Sequence, residues 1–513
     1  MTLGLLLAWQ FVVGAFGVGS GSLPPPSAIV ATLWDNRALW PGPVAVTATE
    51  ALSGFAIAIA VAVGIAAVCV LLSWAERTVA RIALAIYCLP LIAVAPLFNL
   101  ILSGTGDKVA LAALMAFFPI LISVLAGLRS APAVSLELVH VYGGNGLQKL
   151  RYVRANGALH GLVAGMKIGA PAAVLGALIG ELIGAERGLG VLMLSSQHTL
   201  DIDRTYATAV VAAALAASGY LISAGIQRLL PVGFSAGDDM SSSAVQATAT
   251  HRALAGGLVG IASTLLLLGL WWLAVHTVGV SPILMKDPLT LYDYLFVEAR
   301  AASNRAVIAE QLWITLGHIG IGAAAGISAT MVVATVFLLL PSAQKPLMSF
   351  AMVFQTVPTV TFVPLIAVTF GRNTLAVALM GVVAILFSSL IVVLTGLQST
   401  STKMIDVASA YGADRWKVFR LIRLPAAIPA IFAALRIAVP NAVIGALMAE
   451  WMITGNGLGH LMTTAESRLN YGAIWASVVV LTIVTALAYT VVSAAERLAL
   501  AVYAPHAMAG AGH

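Results

Sequence analysis

Long apolar stretches alternate with short polar ones along the whole chain. Twelve are long and apolar enough to span a bilayer. They lie at roughly 1–19, 47–72, 81–103, 108–128, 162–184 and 207–228, and then at 253–276, 311–340, 347–370, 373–397, 432–454 and 473–495. The pattern predicts twelve membrane helices, six in each half. Residues 311–340 exceed the length of one crossing, which predicts a tilt or an extension beyond the bilayer. Residues 1–19 end in small residues, as a signal peptide does, but no Lys or Arg precedes them, so they are expected to be a retained first helix.

The two halves repeat one another. Residues 127–193 align with 396–462 without a gap, at a fixed offset of 269, and 22 of the 67 pairs are identical. Gly143 pairs with Gly412, Arg154 with Arg423, Pro171 with Pro440, and Glu181 with Glu450. Each copy is a polar loop that leads into a long apolar span. An even number of spans separates the two loops, so the duplication is parallel, about an axis along the membrane normal.

Composition agrees with a polytopic membrane protein. The 513 residues are 60% hydrophobic and 9% charged, with mean hydropathy +1.01, whereas soluble domains carry roughly 25% charged residues. The net charge of +6 does not imply nucleic-acid binding, because the basic residues are scattered over many loops. With both termini cytoplasmic, the inner segments hold 17 of the 26 Lys and Arg and the outer segments hold 9. Both repeated loops then face the cytoplasm. Cys69 and Cys88 fall in or near apolar spans and read as inert core thiols. A polar stretch around Gly237–Ser243 follows Pro231 and divides the chain into a first half (1–230), a cytoplasmic linker (231–251) and a second half (252–513).

In each loop the pattern predicts a short amphipathic helix, from about Ser135 to Tyr142 and from about Met404 to Tyr411. Gly143 and Gly412 then permit the left-handed turn that ends a helix. Arg151 and Arg154, like Arg420 and Arg423, lie on the segment that comes next.

The second loop reads Asp406-Val407-Ala408-Ser409-Ala410-Tyr411-Gly412, nine residues, then Ile422-Arg423-Leu424-Pro425. It resembles the signature loop of permease subunits of bacterial ATP-binding-cassette importers: Glu-Ala-Ala, three residues, Gly, nine residues, Ile, any residue, Leu-Pro. Ala408, Gly412, Ile422, Leu424 and Pro425 match; Asp406 and Val407 stand where the family has Glu and Ala. The first loop is degenerate. Glu137, Gly143 and Val153 hold the matching places, Ala155-Asn156 replaces Leu-Pro, and His160 sits opposite Pro429. The Gly-Leu-Gly-x-Leu-Met runs at 188–193 and 457–462 are similar to those of the nitrate, sulfonate and taurine branch.

The resemblance implies an all-α, type I importer permease with two fused halves in the bacterial inner membrane. It implies docking of the loops, 135–158 and 404–427, on two cytoplasmic ATPase subunits, with Glu137, Tyr142, Gly143, Arg151 and Arg154, and Asp406, Ala408, Tyr411, Gly412, Arg420, Arg423, Leu424 and Pro425 as coupling residues. It also implies an extracytoplasmic binding protein that delivers a small solute: nitrate, an alkyl sulfonate, taurine, bicarbonate or a thiamine-pyrimidine precursor. No Gly-x-x-x-x-Gly-Lys-[Ser/Thr] loop occurs, so ATP and Mg are expected on the partner subunits and no cofactor in this chain. The alternative is a twelve-span secondary transporter driven by an ion gradient. It accounts for the duplication but not for the matched loops.

The spans after the loops carry the remaining candidate chemistry. Each begins with a basic residue, Lys167 or Arg436, passes Pro171 or Pro440, and ends near Glu181 or Glu450. Fourteen residues separate base from acid, roughly 21 Å of helix. An acid inside a membrane is a functional candidate. Two readings stand: Glu181 and Glu450 line the pathway, or they accept hydrogen bonds from the turns at Gly188, Gly190, Gly457 and Gly459. No Lys or Arg is expected deep in a span, which leaves a mostly apolar pathway. His198, His251, His276, His318 and His460 lack metal-ligand spacing and read as solvated or interfacial.

Overall fold

The computed structural model describes residues 24–72, 86–102, 104–229, 283–339 and 357–503, with short pieces elsewhere, including 265–273 and 275–277. Most of 1–19, and all of the linker at 231–251, lie outside the described residues. Among those described, the chain is helical and has no strand.

The elements repeat. In the first half, α1 (Pro26–Asp35) precedes α2 (Pro41–Leu71), α3 (Leu91–Ile101), α4 (Gly106–Arg129), α5 (Ala133–Val141), α6 (Gly146–Gly184), α7 (Leu189–His198) and α8 (Ile202–Leu229). In the second, α9 (Ala301–Leu339), α10 (Thr359–Phe370), α11 (Thr374–Gln398), α12 (Thr402–Ala410), α13 (Ile428–Thr454), α14 (Leu458–Ser467) and α15 (Tyr471–Tyr503) take the places of α2 to α8 in order. The duplication thus extends well beyond the segment that aligns by identity.

Among the described residues, eight helices are long and apolar enough to cross a membrane: α2, α4, α6 and α8, and α9, α11, α13 and α15. The other four expected spans, 1–19, 81–103, 253–276 and 347–370, lie partly outside the described residues; within 81–103 and 347–370 the structure describes the short helices α3 and α10. Pro90 and Pro358 precede the helices, and Pro96 and Pro364 lie inside them, so each loses backbone donors within one turn or two. At 39 residues, α9 measures about 58 Å, nearly twice an apolar core about 30 Å thick.

Inside each half, α4 packs between α2 and α6, and α8 lies on α6; α11 packs between α9 and α13, with α15 on α13. Small residues set the spacing. Gly157 and Gly161 of α6 face Gly127 and Ser123 of α4 so closely that a Cβ at either would collide with the opposing backbone. In the second half the equivalent positions are Ala426 and Ala430. The second half makes its closest crossing elsewhere, where Gly381 of α11 meets Gly322 of α9.

The short helices join the halves. α3 packs against α13, α14 and α15, while α10 packs against α7 and α8. The hydroxyls of Tyr206 on α8 and Thr369 on α10 share a 3.1 Å hydrogen bond. Each half thus lends the other a short helix, which is the reciprocity a pseudo-twofold axis requires.

Candidate functional site

Each repeated loop leads into α6 or α13 at the end away from its glutamate. α5 and α12 stop in the same way: Gly143 and Gly412 adopt φ of 78° and 77°. The Gly144 amide donates to the Val139 carbonyl at 2.8 Å, and the Ala413 amide donates to the Ala408 carbonyl at 3.0 Å. This six-to-one closure requires the left-handed residue that glycine supplies. The helices begin two residues earlier than the pattern predicts and present apolar side chains to solvent. Tyr142 is 83% exposed and Tyr411 89%, beside Val134, Leu138 and Val141 in the first loop and Met404 and Val407 in the second. Glu137, Arg151, Asp406, Arg420 and Pro425 are exposed, and Arg154, Ala408, Arg423 and Leu424 are half-buried.

The loops then diverge. The backbone runs from Gly146 through a π-helical turn at Leu150–Arg154 into α6 without a break. In the second half, the matching turn Phe419–Arg423 leads to Leu424–Ala426, and Ala427 interrupts the helix before α13. Pro425 and Pro429 account for the interruption, since neither has an amide to donate. Asn156 and His160 stand in their places.

At the opposite end, each glutamate closes a turn. Glu181 is 1% exposed and Glu450 fully buried. The Gly190 amide donates to Glu181 Oε2 at 2.6 Å, and the Gly459 amide donates to Glu450 Oε2 at 2.8 Å. A threonine completes both. Thr47 donates to Glu181 at 2.5 Å and accepts from the Leu189 amide at 3.0 Å. Thr315 donates to Glu450 at 3.1 Å and accepts from the Leu458 amide at 2.8 Å. These amides open α7 and α14, so a carboxylate also complements the helix N-terminus. Gly188 and Gly457, at φ of 127° and 91°, lie against the carboxyl groups, where any Cβ would overlap them.

The third partner is not shared. His318 Nδ1 lies 2.8 Å from Glu450 Oε1. This overturns the reading of His318 as solvated or interfacial; its ring is largely buried and its nitrogen faces an acceptor. One helical turn beyond Thr47, the matching residue is Glu50, whose carboxyl faces that of Glu181. Gln311 adds a bond from the Gly457 amide at 2.8 Å, and Pro43 holds its place in the first half.

The bases are less peripheral than the pattern suggests. Arg436 is buried and its Nη1 lies 3.0 Å from Glu496 Oε2, tying α13 to α15. Lys167 makes the equivalent tie from α6 to α8 by donating to Gln227 at 2.6 Å. Lys108 is buried beside Asp107 at 2.9 Å. The expectation of no basic group deep in a span fails for Arg436, because the helix begins at Ile428, about two turns before it. Pro171 and Pro440 lie within unbroken helices.

Between the halves, at the glutamate end, lies a cavity of about 200 Å³. Leu182 and Trp451, the residues next to the two glutamates, face it with Leu194 of α7 and with Met448, Thr463 and Glu466. Burial pushes the Glu466 carboxyl above its ordinary value. The turns braced by Glu181 and Glu450 aim α7 and α14, and those helices form two of the cavity walls.

Sequence reasoning missed Thr47, Glu50, Thr315 and Glu466. All four lie outside the gap-free alignment. For the first three the signal is faint: Thr-x-x-Glu at 47–50 against Thr-x-x-His at 315–318, at an offset of 268 rather than 269.

Comparisons with known proteins agree with the duplication. The model of the binding-protein-dependent transport system inner membrane component matches twice, over residues 54–233 and 311–499. The riboflavin transport system permease protein RibX of Chloroflexus aurantiacus is 33% identical over 230 residues, 44% of this chain and 85% of that protein. The formylaminopyrimidine transport permease protein ThiX of Halalkalibacterium halodurans is 23% identical over 46% of this chain and 92% of its own length. The taurine transport system permease protein TauC of Escherichia coli is 24% identical over 44% of this chain and 82% of its own. No solved structure matches. Each of these relatives corresponds to about half of this chain, and the family model to both halves. The chain belongs to the family of binding-protein-dependent transport system inner membrane components, and is a multi-pass permease component of an ATP-binding-cassette importer.

Proposed function

We propose that this chain carries both permease halves of one importer, receives a small solute from an extracytoplasmic binding protein, and is driven by two cytoplasmic ATPase subunits. The observation that carries the reading is the pair of loops. Two separate parts of the chain build the same glycine-ended helix and expose the same kind of apolar face, with Tyr142 and Tyr411 at its tip. Exposed apolar surface of this kind marks an interaction site. ATP-driven closure of two ATPase subunits draws α5 and α12 together. The first lies on a rigid lever, because α6 is continuous, and the second on a jointed one, broken at Ala427. The halves then rock about their shared axis, and the cavity between them opens to alternate sides. In this reading the loop end is cytoplasmic, as are both termini, and ATP and Mg belong to the partners.

The relatives' names divide between heteroaromatic cargo, riboflavin and formylaminopyrimidine, and the sulfonate taurine. The test is transport in vesicles with the chain co-expressed with a partner ATPase subunit. Uptake that requires ATP, and that is lost with Tyr142→Asp and Tyr411→Asp while the chain remains folded, supports the proposal. Uptake that persists without the ATPase and collapses with the proton gradient rejects it in favour of a secondary transporter, with the Glu50–Glu181 pair as its proton site.

A further inference from the structure

The cavity between the halves discriminates among cargo chemistries. At about 200 Å³ it is somewhat larger than a dry protein cavity of about 150 Å³ that holds one benzene. It therefore takes a single substituted ring or a molecule of similar size. Its walls are apolar and sulfur-rich around Trp451, Met448 and Met452. Aromatic and thioether groups favour a flat, polarisable guest. Among the described lining residues the ionisable group is the carboxyl of Glu466, and no Lys, Arg or His joins it.

The polarity is one-sided. Thr463 and Glu466 lie on α14, while their counterparts on α7 are Leu194 and Gln197, of which only Leu194 lines the cavity. A guest thus meets hydrogen-bonding groups along one edge and apolar surface elsewhere. An anion entering here would leave water for a site with a carboxyl and no compensating cation, a costly transfer. An amino group can donate to the Glu466 carboxyl, and the Thr463 hydroxyl, whose own proton goes to the His460 carbonyl at 2.9 Å, can accept a second N–H.

We infer that the cargo crossing this cavity is a small planar nitrogen heteroaromatic carrying an amino group, neutral or cationic, rather than a sulfonate or another anion. The inference rests on the importer reading for its direction of transport, but the binding itself needs only this chain.

The test uses the full chain in lipid nanodiscs, with 4-aminopyrimidine and ethanesulfonate as probes in equilibrium dialysis. Saturable binding of 4-aminopyrimidine, without competition from ethanesulfonate, is expected. Glu466→Gln should weaken it about tenfold, while unsubstituted pyrimidine shifts less than about twofold. Leu194→Trp, which fills the cavity from the opposite wall, should abolish both and provides a second variant if Glu466→Gln fails to fold. Competition by ethanesulfonate, an unchanged affinity in folded Glu466→Gln, or no saturable binding of the aminopyrimidine overturns the inference. ATP-dependent uptake of ethanesulfonate would reject the cargo class and leave the importer reading standing. Aminopyrimidine binding in a chain that never couples to an ATPase would do the reverse.

Discussion

The two glutamate braces are built on one plan and completed by different chemistry. In both, a buried carboxyl caps the turn that opens a short helix, and a threonine relays a second amide. The first half then finishes with a second carboxyl, Glu50. The second finishes with His318 and adds Gln311. The same divergence recurs where Lys167 meets Gln227 and Arg436 meets Glu496. Backbone geometry is retained in both halves while the side chains that satisfy it have drifted. A buried acceptor must find a donor, but the donor's identity is free, so the two halves reach the same end with different residues.

The sharpest test of this difference lies in the helix ties. Arg436→Met leaves the Glu496 carboxylate buried without its partner and should cost about 3–5 kcal/mol, with most folded chain lost. Lys167→Met removes a bond to a neutral amide and should cost about 1 kcal/mol. Thermal unfolding of both variants in detergent measures the gap, and equal losses would show that the two ties are equivalent after all.

A smaller effect, shared by both halves, is expected at the turns. Gly188→Ala and Gly457→Ala each place a Cβ into a carboxyl group at a backbone conformation that alanine resists, for about 2–3 kcal/mol each. Fluorescence-detected size exclusion of the two variants checks this; a tolerant Gly188 would mean that the first brace can open.

Glu450→Gln and Glu181→Gln probe the braces directly. The first replaces a carboxyl that meets His318 and two other donors, and should cost about 1–2 kcal/mol. The second replaces a carboxyl that faces another acid, Glu50, to which the new amide can donate, and should cost less than about 1 kcal/mol. If transport disappears in either well-folded variant, the glutamates belong to the pathway and not to the frame.

The smallest difference is expected at the loops. Gly143→Ala and Gly412→Ala should each lose about 1 kcal/mol, because both glycines hold nearly the same left-handed φ with open space around them. Retention of the ATPase on affinity-purified chain would separate a local cost from a coupling role. A greater loss of ATPase in Gly412→Ala would mark the jointed second loop as the tighter dock.

Hydrophobic pattern and repetition were enough to establish the architecture. The parallel duplication, the helical loops, their glycine stops and the Glu–Gly-Leu-Gly pairing are all local, since each is decided by residues within a few turns of one another. Apolar length does not reveal that the short helices α3 and α10 serve the opposite half. The third partner of each brace was hidden for another reason. Glu50 and His318 lie more than a hundred residues from the glutamates they meet, on helices where an isolated polar residue is indistinguishable from a solvated one until its neighbours are known. Glu466 gave no sign either, because its role comes from the emptiness beside it, and a cavity belongs to no single segment of sequence. Local periodicity and turn chemistry settle which elements form; only the packing of α7 and α14 between the halves determined which polar groups were buried, which were paired, and which faced the cavity.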